Sequence, residues 1–416
     1  MAMEKIGQTG TVDVFWLETS LLDLLRLLGC KMLGEILTDC STRDIPADER
    51  FYQEHRHKRK RCLHTVMGKV EYYRDYYWNP EGSRVPFDRE IGVEGHSCSP
   101  GLRKMMGYAA SKASYKEASE DLWWLAGIKI PACEIQREVL QTGPALRDQQ
   151  DALRKKIPVQ DEIPVMYIEI DGTGTPMRPE VLKGRKGKQA DGSARTREVK
   201  MGCVFTQTCL DEKGQPVRDP QSTSYVANYK AASDFGADIL AEARHRGLGK
   251  AQRKVFLGDG ALWIWELARV NFPDALQILD YYHASEHLHE LATELGVASE
   301  TLGEWSEKLW EGDVEAILKE ANLAKSDCKD PEAAEGQIPY FEKNIERMRY
   351  AAFRKNGFFI GSGVVEGACK HVVGKRLKQS GMFWSLPGAG FVLDYRCAVL
   401  SKRYDSFWVG AFGIAA

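Results

Sequence analysis

The chain lacks several patterns that would assign it quickly to a protein class. None of its 10 cysteines forms a C-x-x-C pair, which argues against a zinc ribbon and a small disulfide-bonded scaffold. No apolar run reaches the roughly 18 residues of a membrane span, and the N-terminus shows no signal-peptide pattern. Internal repeats and low-complexity tracts are also missing. We therefore expect a cytoplasmic globular protein with reduced thiols and no membrane partner.

Net charge is nearly absent as well, since 57 Lys and Arg balance 59 Asp and Glu to a formal charge of -2. Affinity for nucleic acid would therefore have to come from local clusters and not from the total. Two clusters are present, RHKRKR at 56–61 and KGRKGK at 183–188, and the segment 355–405 is also basic. The length of 416 residues with 43% hydrophobic content is enough for two or three structural units.

The N-terminal third is predicted to be mainly helical. Residues 13–38 carry apolar side chains at helical spacing, and the aromatic stretch 66–78 predicts a strand or hairpin whose tyrosines pack a sheet face. Farther on, Ser114 and Glu117 form a capping box, and Pro131 opens a second helix after a Gly-containing turn. This pattern is typical of a helix-turn-helix, although a plain helical hairpin fits it equally well. The groove-facing candidates of the helix-turn-helix are Gln136, Arg137 and Gln141, and Lys129 is expected near the DNA backbone.

From residue 157 to 290, strands alternate with helices, which indicates an α/β fold with a mixed sheet. The candidate strands are Val165–Ile170, Val199–Leu210, Lys254–Leu257 and Leu276–Leu279, and the candidate helices are Ala232–Arg246, Ala261–Val270 and Tyr282–Leu295. We divide the chain into an N-terminal helical and basic region (1–99), a helix-turn-helix-like region (100–156), a first catalytic part (157–295), a helical insertion (296–355) and a last catalytic part (356–416).

Three acidic residues occupy positions where a metal-dependent nuclease needs carboxylates. Asp171 follows the apolar run VMYIEI, Asp259 follows VFLG, and Glu366 opens a helix. Asp171 and Asp259 are therefore predicted to cap the ends of two strands. An RNase H-like mixed sheet flanked by helices would bring these distant residues together around two Mg²⁺ or Mn²⁺ ions roughly 4 Å apart. Each acid alone has a simpler interpretation, as a turn residue, a helix cap, or the partner of Lys370 one turn away.

Several longer motifs support the metal-site interpretation. The segments IEIDGTG, GDGALWIW, QILDYYHASEHLHEL and GSGVVEGACKHVVGKRLKQSGMFW resemble a bacterial insertion-sequence transposase family of the DDE type, the Kra group, from about residue 100 onward. The resemblance implies an RNase H-like domain with Asp171, Asp259 and Glu366 as the metal-binding triad. It also implies double-stranded DNA partners, namely terminal inverted repeats and target DNA, and we expect a homodimer or higher oligomer on them. The family's paired-cysteine motif is missing, because only isolated Cys62 and Cys98 fall in that region.

Further residues follow from this hypothesis. Asp280 and His283 are expected beside the metal site as supporting groups. Trp384 is a candidate to stack on a displaced base, while Trp263 and Trp265 are expected in the core. Phosphate contacts are predicted for Lys183, Arg185, Lys186 and Lys188 and for Lys375, Arg376 and Lys378, with a solvated charged face as the alternative.

Two other functions compete with a transposase that cleaves and joins DNA. His283, Glu286 and His287 fit H-x-x-E-H, the signature of an inverted zinc protease, with Glu366 as a possible third ligand. This interpretation leaves Asp171 and Asp259 without a role. The second alternative is a transposase-derived protein that binds DNA but no longer cuts it.

Overall fold

The computed structural model describes residues 13–41, 55–79, 82–157, 161–187, 189, 192–327 and 336–412. The chain divides into two compact units, the first comprising Met1–Thr142 with Asp405–Ala416 and the second comprising Gly143–Tyr404. The division therefore falls within the helix Ala132–Arg154, between our predicted boundaries at 99 and 156. Within the described residues, no helix combines the length and apolar character needed to span a bilayer.

The first unit combines a three-stranded sheet with helices. The basic run, which we placed before the strand or hairpin, is itself the first strand of that hairpin and pairs with the aromatic stretch from His55↔Trp78 to Thr65↔Gly68. Tyr72 packs in the core with Leu63, Phe87 and Val93, as expected for a sheet-packing tyrosine. The elements are α1 Val14–Cys40, β1 His55–Thr65, β2 Gly68–Asn79, β3 Gly82–Arg84, α2 Pro86–Glu90, α3 Pro100–Lys112, α4 Tyr115–Ala126 and the start of α5 Ala132–Arg154.

The connection between α4 and α5 follows the predicted pattern. The Ser114–Glu117 capping box is present, and Gly127 ends α4 with a left-handed φ of 62°. The second helix starts directly after Pro131 but runs for 23 residues, longer than the short helix we predicted. Lys129, Gln136 and Arg137 are all exposed, and Arg137 pairs with Glu134 at 2.7 Å. Their role in DNA binding stays a prediction.

The second unit is built on a mixed α/β sheet with the strand order β6-β5-β4-β8-β9 and with β7 also paired to β5. The central strand β4 is antiparallel to β5 and parallel to β8, which is in turn parallel to β9. The strands are β4 Ile163–Pro176, β5 Thr196–Leu210, β6 Pro216–Arg218, β7 Ser224–Asn228, β8 Ala251–Gly258 and β9 Leu276–Leu279.

Our prediction that the first acid caps a strand end was wrong, because β4 continues past Asp171 to Pro176. The continuation is paired with β5 from Asp171↔Met201 to Pro176↔Thr196. The two glycines in this stretch allow the close pairing, since a Cβ at Gly172 would lie 2.6 Å from the Glu198 Oε1. Asp171 is therefore held by backbone pairing inside the sheet.

Helices cover the sheet, and the segment predicted as a helical insertion is helical where the structure describes it. The helix that carries Glu366 is short and continues as a π-helical turn over Cys369–Gly374. The helices of the second unit are α6 Pro179–Leu182, α7 Ala232–His245, α8 Leu262–Asn271, α9 Tyr281–Leu295, α10 Ser299–Glu311, α11 Val314–Asp327, α12 Gln337–Asn344, α13 Tyr350–Lys355, α14 Gly363–Ala368, α15 Lys375–Leu377 and α16 Leu386–Leu400. The last helix, α17 Tyr404–Phe412, belongs to the first unit from Asp405 onward.

One buried carboxylate ties three parts of the second unit together. Glu242 on α7 has no exposed surface and accepts two hydrogen bonds from Arg403, at 2.6 and 2.8 Å. Arg154 at the end of α5 donates to the same carboxylate at 3.3 Å. Burial by itself raises the pKa of Glu242, but its two arginine partners outweigh burial and lower the pKa to about 2. Glu242 is therefore a charged, paired group within the core.

Candidate functional site

Three aspartates lie in one row across the parallel strands of the second unit. The register pairs Glu169 of β4 with Leu257 of β8, so Asp171 and Asp259 are the equivalent positions two residues farther on. Gly258 pairs with Leu279 of β9, which places Asp280 level with Asp259. Neighbouring strands are about 4.8 Å apart. We call this row, together with His283 and Glu366, the acidic edge.

Glu366 joins the acidic edge from α14. Among the described residues, one set of three metal-ligating side chains has ligand atoms that all lie within 4.8 Å of one another, and it consists of Asp280, His283 and Glu366. Only Glu366 of the predicted triad belongs to this set. Asp259 is half-buried, and its Oδ1 accepts a hydrogen bond from the Ala261 N–H at 2.9 Å. The structure thus places Asp280 and His283 next to Glu366.

Asp280 is completely buried and its two oxygens already have partners. Its Oδ1 accepts from the His283 N–H at 2.8 Å and faces His283 Nδ1 at 3.3 Å, and its Oδ2 accepts from the Ser362 N–H. Burial alone raises the pKa of Asp280, but these hydrogen bonds outweigh burial and hold the pKa below its ordinary value. The carboxylate therefore fixes both His283 and the start of the Glu366 helix.

His283 is positively charged at neutral pH in this arrangement. The hydrogen bond with Asp280, supported by the charges of Asp280, Asp259 and Glu286, raises the pKa of His283 to about 9. A third of its side chain is exposed, so the ring faces both the carboxylates and the solvent. An imidazolium there is suited to contact an anion, while binding a metal would first require loss of its proton.

Asp171 is half-buried within the sheet. Burial raises the pKa of Asp171, a hydrogen bond from the Cys369 thiol opposes this effect, and the charge of Asp259 adds to it. The influence of both Asp259 and His283 on this pKa shows that the three side chains share one electrostatic environment. Cys369 lies on the π-helical turn that follows the helix of Glu366. The same helical segment therefore supplies Glu366 and the thiol that donates a hydrogen bond to Asp171.

Sequence reasoning missed Glu169, which precedes Asp171 on the same face of β4. Glu169 has no exposed surface, its Oε2 accepts from the Val365 N–H at 2.8 Å, and its Oε1 has no hydrogen-bond partner among the residues that the structure describes. Burial raises the pKa of Glu169 to about 8, with the charges of Asp280 and Glu366 adding to the effect. The i, i+2 spacing in the run YIEID is the sequence signal that shows this pairing of acids on one strand face.

The predicted cations are divided between the surface and the core. Lys375 and Lys378 are exposed, and Lys378 Nζ donates to Thr173 Oγ1, two residues beyond Asp171. Lys183, Arg185 and Lys186 are also exposed, while Lys188 lies outside the described residues. Arg376 was predicted to contact phosphate, but it has no exposed surface and its guanidinium lies 5.0 Å from the Trp384 ring.

The predicted role of Trp384 in base stacking was also wrong. Trp384 is only 8% exposed, and its Nε1 donates to the Leu377 carbonyl at 3.0 Å. Trp265 is buried, as we expected of a core residue. The exposed ring near Trp384 belongs to the preceding residue, Phe383.

The two histidines of the H-x-x-E-H motif have different surroundings. His287 Nδ1 lies 2.8 Å from Gln337 Oε1, and its ring lies against Tyr340 with centroids 3.9 Å apart. His283 instead contacts Asp280 and is close to Glu366. A zinc protease site would need both rings on one ion, so this geometry gives the motif no support as a shared metal site.

Comparison with known proteins points to one family. The model of UPF0236, described as an uncharacterised protein family, matches residues 12–190. This chain is similar to UPF0236 proteins. A UPF0236 protein of Caldanaerobacter subterraneus subsp. tengcongensis, whose name joins eleven locus designations, is 24% identical over 364 residues, covering 83% of this chain and 68% of the relative. Another from the same bacterium, with four designations, is 23% identical over 363 residues with the same coverage.

One solved structure also aligns with this chain over much of its length. It is the Drosophila P element transposase strand transfer complex, with a TM-score of 0.27 and 11% identity over 77% of this chain and 82% of that one. A TM-score of this size does not establish a shared fold. The similarity of this chain to UPF0236 proteins is a similarity of sequence.

Proposed function

We propose that the protein is a metal-dependent DNA phosphoryl transferase of the DDE transposase type, which cleaves at the ends of an insertion element and joins the freed 3′-hydroxyl to target DNA. The observation that carries the proposal is the row of Asp171, Asp259 and Asp280 across adjacent strands, with Glu366 facing it from α14. A central strand with an antiparallel neighbour on one side and parallel neighbours on the other also supports an RNase H-like catalytic domain.

The side chains of the acidic edge suit divalent cations with oxygen ligands. Asp171, Asp259 and Glu366 offer carboxylate oxygens, the donors that Mg²⁺ and Mn²⁺ prefer. These three residues would hold the two ions, because the two oxygens of Asp280 already accept hydrogen bonds from the His283 and Ser362 N–H groups. Divalent ions bound there would activate the attacking water or 3′-hydroxyl and offset charge on the leaving oxygen.

The remaining residues of the edge position these groups. Asp280 holds His283 and the helix of Glu366 in fixed places, and Glu169 anchors the same helix to β4 through the Val365 N–H. The His283 imidazolium and the Lys378 ammonium provide positive charge for a DNA phosphate beside the carboxylates. A covalent protein intermediate is not required, since water or a 3′-hydroxyl is the nucleophile.

The UPF0236 relatives give independent support for a mobile element. Their names join eleven and four locus designations within one bacterium, so closely matching proteins are encoded at many places in a single genome. An element that moves copies of itself produces this pattern. The remaining alternative, a derived protein that binds DNA without cutting it, predicts binding but no metal-dependent nicks.

The test uses a plasmid that carries the gene with its natural flanking DNA, incubated with the full-length protein and Mg²⁺ or Mn²⁺. We expect nicks at fixed positions in the flanks, mapped by sequencing, and loss of these nicks in Asp171→Asn, Asp259→Asn and Glu366→Gln. Glu286→Gln is the matched control, because Glu286 is an exposed acid on α9 that influences His283 only through its charge and is not among the proposed metal ligands. Retained nicking by a triad variant removes that residue from the site, and zinc-dependent peptide hydrolysis lost in Glu286→Gln would replace the whole proposal.

Recognition of the element ends is assigned in this proposal to the exposed face of α5. Arg137→Ala is expected to weaken binding to the end sequence more than binding to random DNA, because a contact to a base edge carries sequence information. A band-shift measurement with both DNAs separates the two. Equal losses of affinity for both DNAs would indicate that Arg137 contacts a phosphate and not a base.

A further inference from the structure

A basic cavity lies beside the far end of β4. It has a volume of about 570 Å³ and is lined by described residues between Met177 and Arg195 and by Phe383, which precedes α16. The lining side chains used below are Lys183, Arg185, Arg195 and Phe383. The cavity volume is in the range of small-molecule ligand sites. We call this surface the Phe383 pocket.

The charged side chains that the structure describes around the Phe383 pocket are all positive. Lys183, Arg185 and Arg195 are all exposed, and no described lining residue is acidic. In the part of the chain that the structure describes, none of these three cations forms an ion pair with a carboxylate. Three cations around one concave surface repel one another, so a bound phosphate would relieve that repulsion.

The backbone next to the exposed ring of the pocket is held in place. Phe383 is 51% exposed. Its neighbour Trp384 is buried and bridges to the end of β4, with its N–H donating to the Pro176 carbonyl at 3.3 Å and its carbonyl accepting from the Arg178 N–H at 3.0 Å. These bonds fix the backbone beside Phe383. An exposed aromatic ring on a fixed backbone, beside cations, is the combination that binds unstacked bases of single-stranded nucleic acid.

The Phe383 pocket is connected to the acidic edge along β4. The strand runs on from Asp171 to Pro176, a distance of ~17 Å at about 3.3 Å per residue. Lys378, which donates to Thr173, lies along this path. Since phosphates of one DNA strand are spaced about 3.4 Å apart along a duplex, the path corresponds to about five nucleotides or fewer.

We propose that the Phe383 pocket binds one unstacked base and its phosphate in a single DNA strand, within a few nucleotides of the phosphate that meets the acidic edge. The inference rests on the proposed function for its location in the reaction, but its binding step requires neither metal nor cleavage. Phe383 stacks on the base, and Lys183, Arg185 and Arg195 contact the phosphates. Single-stranded DNA near a cleavage point arises when the duplex end is opened, which exposes bases for stacking.

The test measures binding of a fluorescent ~20-nucleotide oligo-dT by anisotropy, with a chelator present and the Glu366→Gln protein as the parent. Phe383→Ala is expected to weaken binding by about 5- to 150-fold, and Phe383→Trp to restore it. An oligonucleotide of the same length without bases is expected to bind both proteins equally. Arg195→Gln is expected to weaken both probes and to reduce the dependence of log Kd on log salt by about one.

Leu323→Ala serves as the matched control, because Leu323 is a 63% exposed apolar residue of the same unit that does not line the cavity. Unchanged oligo-dT binding in Phe383→Ala, or an equal loss on the abasic probe, would overturn the proposal. Tighter binding of oligo-U than of oligo-dT would overturn the assignment to DNA. Because the parent lacks Glu366, none of these results depends on cleavage, so a failed cleavage assay and a failed stacking assay are distinguishable.

Discussion

The anchoring of the Glu366 helix by Glu169 gives a quantitative prediction. Glu169→Ala removes the acceptor of the Val365 N–H, a bond of 2.8 Å inside the protein, and leaves a cavity in its place. An unsatisfied buried N–H costs about 1–3 kcal/mol, and a large-to-small change in a core adds to this. We expect a loss of about 3–5 kcal/mol in the free energy of unfolding. Glu169→Gln keeps the acceptor and matches the neutral carboxyl, so we expect a change below about 1 kcal/mol.

Urea unfolding at neutral pH measures both changes. Glu198→Ala on the neighbouring strand is the control, since Glu198 is exposed and its removal is expected to change stability by about 0.5 kcal/mol or less. Binding of Mg²⁺ or Mn²⁺ at the acidic edge, as proposed above, is expected to raise the Tm. This increase should persist in Glu169→Gln and shrink in Glu169→Ala, because only the second variant releases the helix of Glu366. Equal destabilisation by the two variants would refute the assignment of a neutral anchoring carboxyl.

Three further predictions concern other parts of the molecule. The pKa of Glu242 is about 2 in the folded state against 4.5 ordinarily, so ionised Glu242 stabilises the fold above about pH 4.5, and this stabilisation is lost as the pH falls towards 2. The free energy of unfolding, measured as a function of pH, should fall by about 3 kcal/mol over this range in the parent protein and not in Glu242→Gln. Asp280→Asn should lower the pKa of His283 from about 9 towards 6.5, measured by NMR, and an unchanged value would contradict the assigned pairing. Gly34→Ala should lower the Tm, because the added Cβ would lie 2.5 Å from a backbone oxygen of β2. Gly29→Ala is the control, since the Cβ added there meets only the flexible end of Met67. Equal changes of Tm in the two variants would contradict close packing of α1 on β2.

The sequence predicted the elements of the second unit well because hydrophobic periodicity there is strong and local. The strand Leu276–Leu279 has the predicted bounds, and the helix predicted at Tyr282–Leu295 starts one residue earlier. The end of β4 could not be read in the same way, since the stretch after Asp171 is polar and is held in the sheet by pairing with β5. Side-chain burial could not be predicted from the sequence either. Arg376 and Lys378 lie in the same basic run, and only the tertiary structure shows that the first is buried and the second is exposed.

The acidic edge was predicted in outline and missed in detail for a related reason. Asp171, Asp259 and Glu366 carry motifs that point to metal chemistry, and they lie on the expected strand, strand and helix. The positions of Asp280 and Glu169 depend on strand register and on the approach of α14, which are tertiary features. Local spacing indicates that such acids share a face, but it does not indicate which of their oxygens are already occupied.

Tyr340 of the helical insertion donates a hydrogen bond to the Asp259 carbonyl at 3.2 Å, and its ring leaves no room for a Cβ at Gly260, where φ is +101°. The loop after β8 is thus held by a residue that is synthesised about eighty positions later in the chain. The Val365 N–H that donates to Glu169 is synthesised nearly two hundred positions after Glu169. During synthesis the acidic edge therefore stays incomplete until most of the chain has emerged. In the proposed function, translation products that stop before α14 lack Glu366 and are expected not to cut DNA.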